Sequence, residues 1–501
     1  MIVVGMREIK RTKSICPECL KVLDAVIFEE NNVVYIAKEC PEHGPFQDIY
    51  WSDYGVYEKA KMFDYIGEGL ENPRTITKSG CPYDCGICPQ HKSHTVLAII
   101  DVTNRCNLRC PVCFATAGTA GYVYEPTIDD IRGMLINLRN NKPVPAEALQ
   151  LSGGEPTIRE DLPQIIRMAK ELGFKHVEVN TNGLRIASDL DFCRTLREAG
   201  VSTIYLQFDG VSPEVYKFTR GVNLIEVKEK AIENCRKAGI DSVVLVCTLI
   251  KGVNDREVGD IIRFAVKNSD VVRCVNFQPV SLCGRIPAKE RMSMRITIPD
   301  WMKLVEEQTN GQIKISDFYP VPTVVPVSKA VGAIKNRRYV EFTAHPHCGM
   351  ATYIFVEDGR IVPITRYANV EGFIRSMRRV YEEASKGHKS RAKMHLIGAL
   401  RHVKLGMLRK YVWPVLKTGS YKALGDLHRK MIMISAMHFM DPYNFDLERV
   451  QRCVIHYAVP DGRIIPFCTM NSIHRSLIEK SLGVPVEEWK AKHKVEISAV
   501  A

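Results

Sequence analysis

Residues 81–113 read CPYDCGICPQHKSHTVLAIIDVTNRCNLRCPVC. The spacing C-x3-C-x2-C occurs twice, at Cys81, Cys85 and Cys88 and again at Cys106, Cys110 and Cys113. A loop so spaced can wrap three corners of a cubane iron–sulfur cluster with thiolates and leave the fourth iron open to a ligand. Residues 96–102, between the triplets, are an apolar run that reads as a β-strand. The second triplet follows that strand directly. The first precedes it and has no such setting.

Outward from this strand the pattern repeats. Further strand candidates are ALQLSG (148–153), HVEVNTN (176–182), STIYLQFDG (202–210), SVVLVCTLI (242–250) and VVRCVNFQP (271–279). Amphipathic segments such as DLPQIIRMAKELG (161–173) lie between them. Near-continuous apolar strands with helical crossovers predict an α/β fold with a parallel sheet covered by helices. The reading is a partial (β/α)6 barrel over residues 96–285, with its site at the C-terminal ends of the strands. In LSGGEPTIR, Gly153 and Gly154 let backbone approach a ligand, and Glu155 can accept from a bound amine.

Residues 1–75 carry two knuckles, Cys16/Cys19 and Cys40/His43, on a hairpin turning at Asn31-Asn32. This predicts a small ribbon domain with four soft ligands at one tetrahedral point, for zinc or iron. Residues 76–95 hold the first triplet. Residues 286–501 are read as a C-terminal α+β domain. There FYPVPTVVPV (318–327) reads as an extended linker, and residues 352–365 and 455–469 read as similar strand, Asp-Gly turn, strand units. Cys348, Cys453 and Cys468 flank those hairpins.

Seventeen cysteines in a chain with no secretion signal point to metal and a reducing cytoplasm rather than to disulfides. No uncharged apolar run reaches membrane-spanning length, so any membrane contact is expected to be peripheral, at the inner face. The net charge of +12 is concentrated: residues 386–430 hold twelve Lys or Arg and one acid, Asp426. Leu, Met, Val and Trp interleave with these cations, which suits a helical insert on an anionic membrane surface. Few aromatics accompany them, so no nucleic-acid partner is expected.

The motifs CNLRCPVC, GGEP, NTNG and QFDG occur in this order over about 180 residues. The chain thereby resembles the radical S-adenosylmethionine (SAM) superfamily, departing only at Val112, where an aromatic residue is common. The resemblance implies that Cys106, Cys110 and Cys113 hold a [4Fe–4S] cluster whose open iron takes the amino and carboxylate groups of SAM. It implies that Ser152, Gly153, Gly154 and Glu155 hold the amino group. Asn182, Gln207, Asp209, Thr248, Asn276 and Gln278 point by strand position into the same mouth, as candidates for SAM contacts. Cys81, Cys85 and Cys88 would hold an auxiliary cluster, with Cys283 as candidate fourth ligand and His91 and His94 as nearby structural alternatives. Cys348, Cys453 and Cys468 resemble the cluster-binding C-terminal extensions of some members, which makes three [4Fe–4S] clusters. Cys193, Cys235 and Cys247 read as core; Cys274 fits either role.

The wider layout resembles archaeal tetraether synthase. The matches are the ribbon knuckles, GCPYDCGICPQHKSHT (80–95), FQPVSLCGR (277–285), HPHCGMATYIFVEDGRIVPI (345–364) and CVIHYAVPDGRIIPFC (453–468). That resemblance implies a mononuclear iron in the ribbon and archaeol phospholipid as substrate. The reaction implied joins terminal methyl carbons of phytanyl chains, consuming two SAM per bond, with a low-potential donor such as ferredoxin or flavodoxin. The alternatives are a radical SAM maturase acting on a peptide or protein, a tRNA-modifying radical SAM enzyme, and an iron–sulfur electron carrier.

Overall fold

A computed structural model describes residues 6–286, 288–357, 359–408 and 430–493. Its N-terminal part is an antiparallel sheet of β1 (Arg7–Ile15), β2 (Val22–Glu30), β3 (Val33–Cys40) and β4 (Gly44–Trp51) in sequence order. Asn31 and Asn32 both take positive φ, 52° and 64°, the backbone that a two-residue hairpin with right-handed twist requires. The turns β1–β2 and β3–β4 lie at the opposite end of this meander. The two cysteine knuckles sit in those turns and therefore meet.

The six anticipated strands are β5 (Leu97–Thr103), β7 (Ala148–Gly153), β8 (His176–Thr181), β9 (Thr203–Gln207), β10 (Val243–Leu249) and β11 (Val272–Pro279); β6 (Tyr122–Val123) intervenes as a short excursion. They pair in parallel in the order β5-β7-β8-β9-β10-β11. The covering helices follow from their apolar spacing. Helix Ile128–Arg139 is opened by a Thr127/Asp130 capping box and buries Ile131, Met134, Leu135 and Leu138, three and four residues apart on one face. Each such side chain contributes roughly 1.5–3 kcal/mol by leaving water.

The remaining strands are β12 (Tyr319–Pro320), β13 (Gly349–Glu357), β14 (Arg360–Pro363), β15 (Met431–Met437), β16 (Ile455–Ala458), β17 (Ile464–Pro466) and β18 (Val484–Pro485). All but β18 extend the central sheet. β15 adds in parallel beyond β11, and β16 in parallel beside β5 with Ile455 opposite Leu97. The parallel run thus reaches eight strands, flanked by β13 on one side and β17 on the other. β18 pairs with β6 instead.

Both C-terminal hairpins form, as β13–β14 and β16–β17. Asp358 of the first turn lies outside the described residues. FYPVPTVVPV departs from the linker reading, because helix Val325–Lys335 begins within it. Pro326 stands in that helix's first turn, where a backbone N–H has no intrahelical partner to lose. The basic stretch is helical over Lys389–Ala399, while residues 409–429 lie outside the described residues.

Candidate active site and metal centres

The loop after β5 brings Cys106, Cys110 and Cys113 to one cavity at the C-terminal end of the sheet. Ser152, Gly153, Gly154, Glu155, Asn182, Gln207, Thr248 and Gln278 line the same cavity, which therefore gathers most of the residues read from strand ends. Asp209 and Asn276 are not among the lining residues.

The two glycines are held to the cysteine loop itself. Gly154 N donates to Thr103 O (2.7 Å) and Glu155 N to Arg105 O (2.8 Å). A Cβ on Gly153 would overlap Thr103 O, and one on Gly154 would overlap Arg105 O. The close approach anticipated toward a ligand is thus first an approach of two backbones, one of them carrying Cys106. Glu155 braces the next loop. Its carboxylate accepts from Thr157 Oγ1 (2.5 Å), Thr181 Oγ1 (2.7 Å) and Asn182 N (2.7 Å). Burial pushes its pKa up and those donors pull it back, with the net direction upward. Alanine at Gly154 must separate the two loops. A displacement near 1 Å costs about a hundredfold in a positioned reaction, so G154A is expected to lose about that much SAM-cleavage rate, read as 5′-deoxyadenosine release.

Asp209 acts through another residue. β9 ends at Gln207, whose side-chain amide donates to the Asp209 carboxylate. Its buried carboxylate grips Arg220 at 2.6 and 2.9 Å and accepts from Thr248 N at 3.1 Å. Arg220, at the end of helix Pro213–Arg220, lines the cavity in its place. Asn276 lies one layer deeper. It donates to the Tyr205 hydroxyl (2.7 Å) and accepts from Ser435 (3.1 Å), while Gln278 donates to the same Tyr205 oxygen (3.1 Å). Buried Lys228 donates to Asn182 O (2.5 Å) and Gln207 Oε1 (2.9 Å), and burial lowers its pKa to about 7. Tyr205 was discoverable: it lies two residues before Gln207, on the same strand face. Arg220 and Lys228 come from helices and carry no such signal.

Much of the remaining lining is apolar. Phe114, Met437, Phe439, Ile455, Tyr457 and Phe467 belong to it. Phe439 and Phe467 stack with centroids 3.8 Å apart, and Tyr457 and Phe114 lie 5.5 and 5.9 Å from Phe467.

In the ribbon, ligand atoms of Cys16, Cys19, Cys40 and His43 all lie within 4.8 Å of one another. Cys19 and Cys40 sulfurs are 3.9 Å apart, and His43 Nδ1 is 3.7 Å from Cys16 Sγ and 3.5 Å from Cys40 Sγ. A tetrahedron with metal–sulfur arms of about 2.3 Å has corners roughly 3.8 Å apart, so the donor set fits one zinc or iron ion. C19S/C40S is expected to lose one metal ion per chain by elemental analysis, and the element found in the parent protein identifies the occupant.

Cys81 and Cys85 share one hydrophobic cluster with Cys348, Cys453 and Cys468. Cys81, Cys85 and Cys88 also line a small cavity with His91. Cys283 joins neither group. Its sulfur lies 3.6 Å from Ser281 Oγ and 3.8 Å from Ser472 Oγ, and Arg285 N donates to Cys113 O (3.0 Å). The turn that carries Cys283 is bound to the Cys113 loop. His91 Nε2 lies 2.8 Å from Cys453 O, and His94 Nε2 accepts from Glu341 N (2.8 Å), so both have structural partners. Cys193, Cys235, Cys247 and Cys274 are buried in or beside the sheet.

Residues 100–265 match the radical SAM superfamily, and residues 8–52 match the HMPTM N-terminal zinc ribbon domain. The chain is 51% identical over 503 residues to the 7,8-dihydro-6-hydroxymethylpterin dimethyltransferase of Methanocaldococcus jannaschii, covering 97% of this chain and 98% of that protein. It is 32% identical over 185 residues to the GTP 3′,8-cyclase of Limosilactobacillus fermentum, covering 36% of this chain and 54% of that one. Among solved structures, it is similar to anSMEcpe with bound AdoMet, at 16% identity and a TM-score of 0.32 over 49% of this chain and 63% of that one. Streptococcus suis SuiB bound to S-adenosylmethionine is similar at 16% identity and a TM-score of 0.35, over 44% of this chain and 48% of that one.

Proposed function

This chain belongs to the radical SAM superfamily, in one family with the Methanocaldococcus jannaschii dimethyltransferase, and from that premise we propose that it forms carbon–carbon bonds at unactivated carbon. The substrate that the cavity supports best is the terminal carbons of apolar chains, as in the phytanyl groups of archaeol phospholipid. The observation that carries this reading is the aromatic and aliphatic lining that shares one cavity with Cys106, Cys110 and Cys113. Such a lining takes up hydrocarbon favourably and excludes water from a reactive centre.

When bound, the [4Fe–4S] cluster and SAM supply a carbon radical able to remove hydrogen from an unactivated C–H bond. The chain's own residues orient it. The Ser152–Glu155 turn meets the amino group, and the Asp209–Arg220 pair and Lys228-anchored Gln207 present fixed donors and acceptors across the mouth. Cys81, Cys85 and Cys88 and the trio Cys348, Cys453 and Cys468 are assigned two further clusters, fed by a low-potential ferredoxin or flavodoxin. The ribbon is assigned one iron or zinc ion.

A second reading has its own support. The relative's name specifies methyl transfer to a reduced pterin, and Gln150, Asn180 and Tyr205 give the cavity a polar floor that could pair with ring heteroatoms. Anaerobic incubation with SAM, a reductant and either archaeol phospholipid or 7,8-dihydro-6-hydroxymethylpterin separates the two. Lipid lighter by two hydrogens per bond formed supports chain coupling. Methylated pterin without coupled lipid overturns it in favour of the second reading, and 5′-deoxyadenosine with neither product overturns both.

The lipid reading extends to where the enzyme works, on the cytoplasmic face of a membrane. Among the described residues, no helix is long and apolar enough to cross one. Met394, Ile397 and Leu405 are 62, 61 and 80% exposed, among exposed Lys389, Arg391, Lys393, Arg401 and Lys404. Apolar side chains ringed by cations fit an anionic lipid surface, each cation contributing about 1 kcal/mol. M394D/I397D/L405D should no longer sediment with phosphatidylglycerol vesicles.

A further inference from the structure

Arg449 is 1% exposed, yet two of its three nitrogens are idle. Nη2 donates to His438 O at 2.8 Å, whereas Nε and Nη1 have no hydrogen-bond partner. The guanidinium carbon lies 5.4 Å from the centre of the Tyr50 ring. Among the described residues no carboxylate pairs with it; Asp446 is taken by Tyr50 (2.8 Å), Thr12 (2.7 Å) and Lys10 (3.4 Å). A buried donor left unmade costs about 1–3 kcal/mol, more when the group is charged. A buried cation with two free N–H groups is therefore matched to an anion.

The surroundings identify which anion. Arg449 and Cys348 are bound to one and the same residue, His438, whose carbonyl accepts from Arg449 Nη2 and whose N–H donates to Cys348 O. Cys348, Cys453 and Cys468 lie in one hydrophobic cluster. Backbone bonds lock the arrangement: His438 N donates to Cys348 O (2.9 Å), and Met440 N to Cys468 Sγ (3.4 Å). Phe439 and Phe467, in the same hydrophobic cluster as these cysteines, also line the SAM cavity.

We propose that Arg449 is a positioning residue for the iron–sulfur cluster held by Cys348, Cys453 and Cys468, donating its idle N–H groups to the cluster's sulfurs and raising its reduction potential. This rests on the assignment of a cluster to those cysteines. Hydrogen bonds and positive charge favour the more negative, reduced state of such a centre.

The test uses the full chain, reconstituted anaerobically, with redox titration followed by electron paramagnetic resonance and iron counted per chain. R449M is expected to keep its iron and to shift the midpoint of one auxiliary cluster downward by about 59 mV, a tenfold change for one electron. R449K keeps the charge with fewer donors and is expected to shift it less. It also carries the test if R449M does not fold. Full iron with unchanged midpoints in the variants overturns the role of Arg449. Full iron in C348A/C453A/C468A overturns the cluster assignment itself, which separates the two failures.

Discussion

C106A/C110A/C113A, reconstituted anaerobically, is expected to release 5′-deoxyadenosine at least about a thousandfold more slowly than the parent, a barrier difference of roughly 4 kcal/mol. The three sulfurs line the same cavity as the Gly153–Gly154–Glu155 turn, and no other cysteine lines it. Without them no cluster iron could be held beside the turn proposed to take the SAM amino group. Iron counting and electron paramagnetic resonance check specificity, because the Cys81–Cys88 and Cys348–Cys468 groups are untouched. A normal rate in this variant would end the assignment of this loop to SAM cleavage.

The second large effect is one of stability. Arg295 is buried between two carboxylates from distant segments. It reaches Asp48 of β4 at 3.1 and 2.8 Å, and Asp441 at 2.7 and 3.2 Å. Asp441 also accepts from Leu282 N (2.9 Å) and Tyr443 N (3.0 Å). One guanidinium thus ties the ribbon to the turn before Cys283 and to the chain after β15. Removing one partner of a buried pair strands the other charge, at about 3–5 kcal/mol, and R295L strands two carboxylates.

The pH dependence follows from Asp441. Burial alone would raise its pKa, but Arg295 and the two backbone donors reverse this and lower it. A lowered carboxylate pKa gives stability that is present above the unfolded value and lost as pH falls through the folded value. In R295L the largest part of that contribution is gone, and only the two backbone donors still oppose burial. The gap between parent and R295L is therefore widest at neutral pH and narrows as pH falls through the carboxylate range, about 4. Denaturant unfolding at both pH values measures it; a constant gap would sink the argument.

Some of this was legible without coordinates because the information is local. C-x3-C-x2-C is a covalent spacing, and the four ribbon ligands follow from two knuckles and one Asn-Asn turn. The six parallel strands announce themselves as apolar runs at helical intervals, and the GGEP turn lies where the second strand ends. Local reading failed where local rules cease. Asp209 stands two residues past the end of β9, and its carboxylate is covered by Gln207 and Arg220, which line the cavity in its place. A proline near residue 326 reads as a break but is tolerated in a helix's first turn. That the turn of Cys283 binds the loop of the second triplet carries no local signal either.

The amino-acid sequence by itself thus determined the sheet, the cluster loop and the ribbon site, since each depends on spacings within one or two neighbouring elements. Only the tertiary structure decided what shares the cavity with the cluster loop. Met437, Phe439, Ile455, Tyr457 and Phe467 of the apolar lining stand more than three hundred positions beyond Cys106, and they reach the cavity because β15 and β16 join opposite ends of one sheet. Arg295 finds Asp48 and Asp441 by the same long-range closure. No periodicity encodes such pairings, because they are set by which buried charge the packing leaves without water.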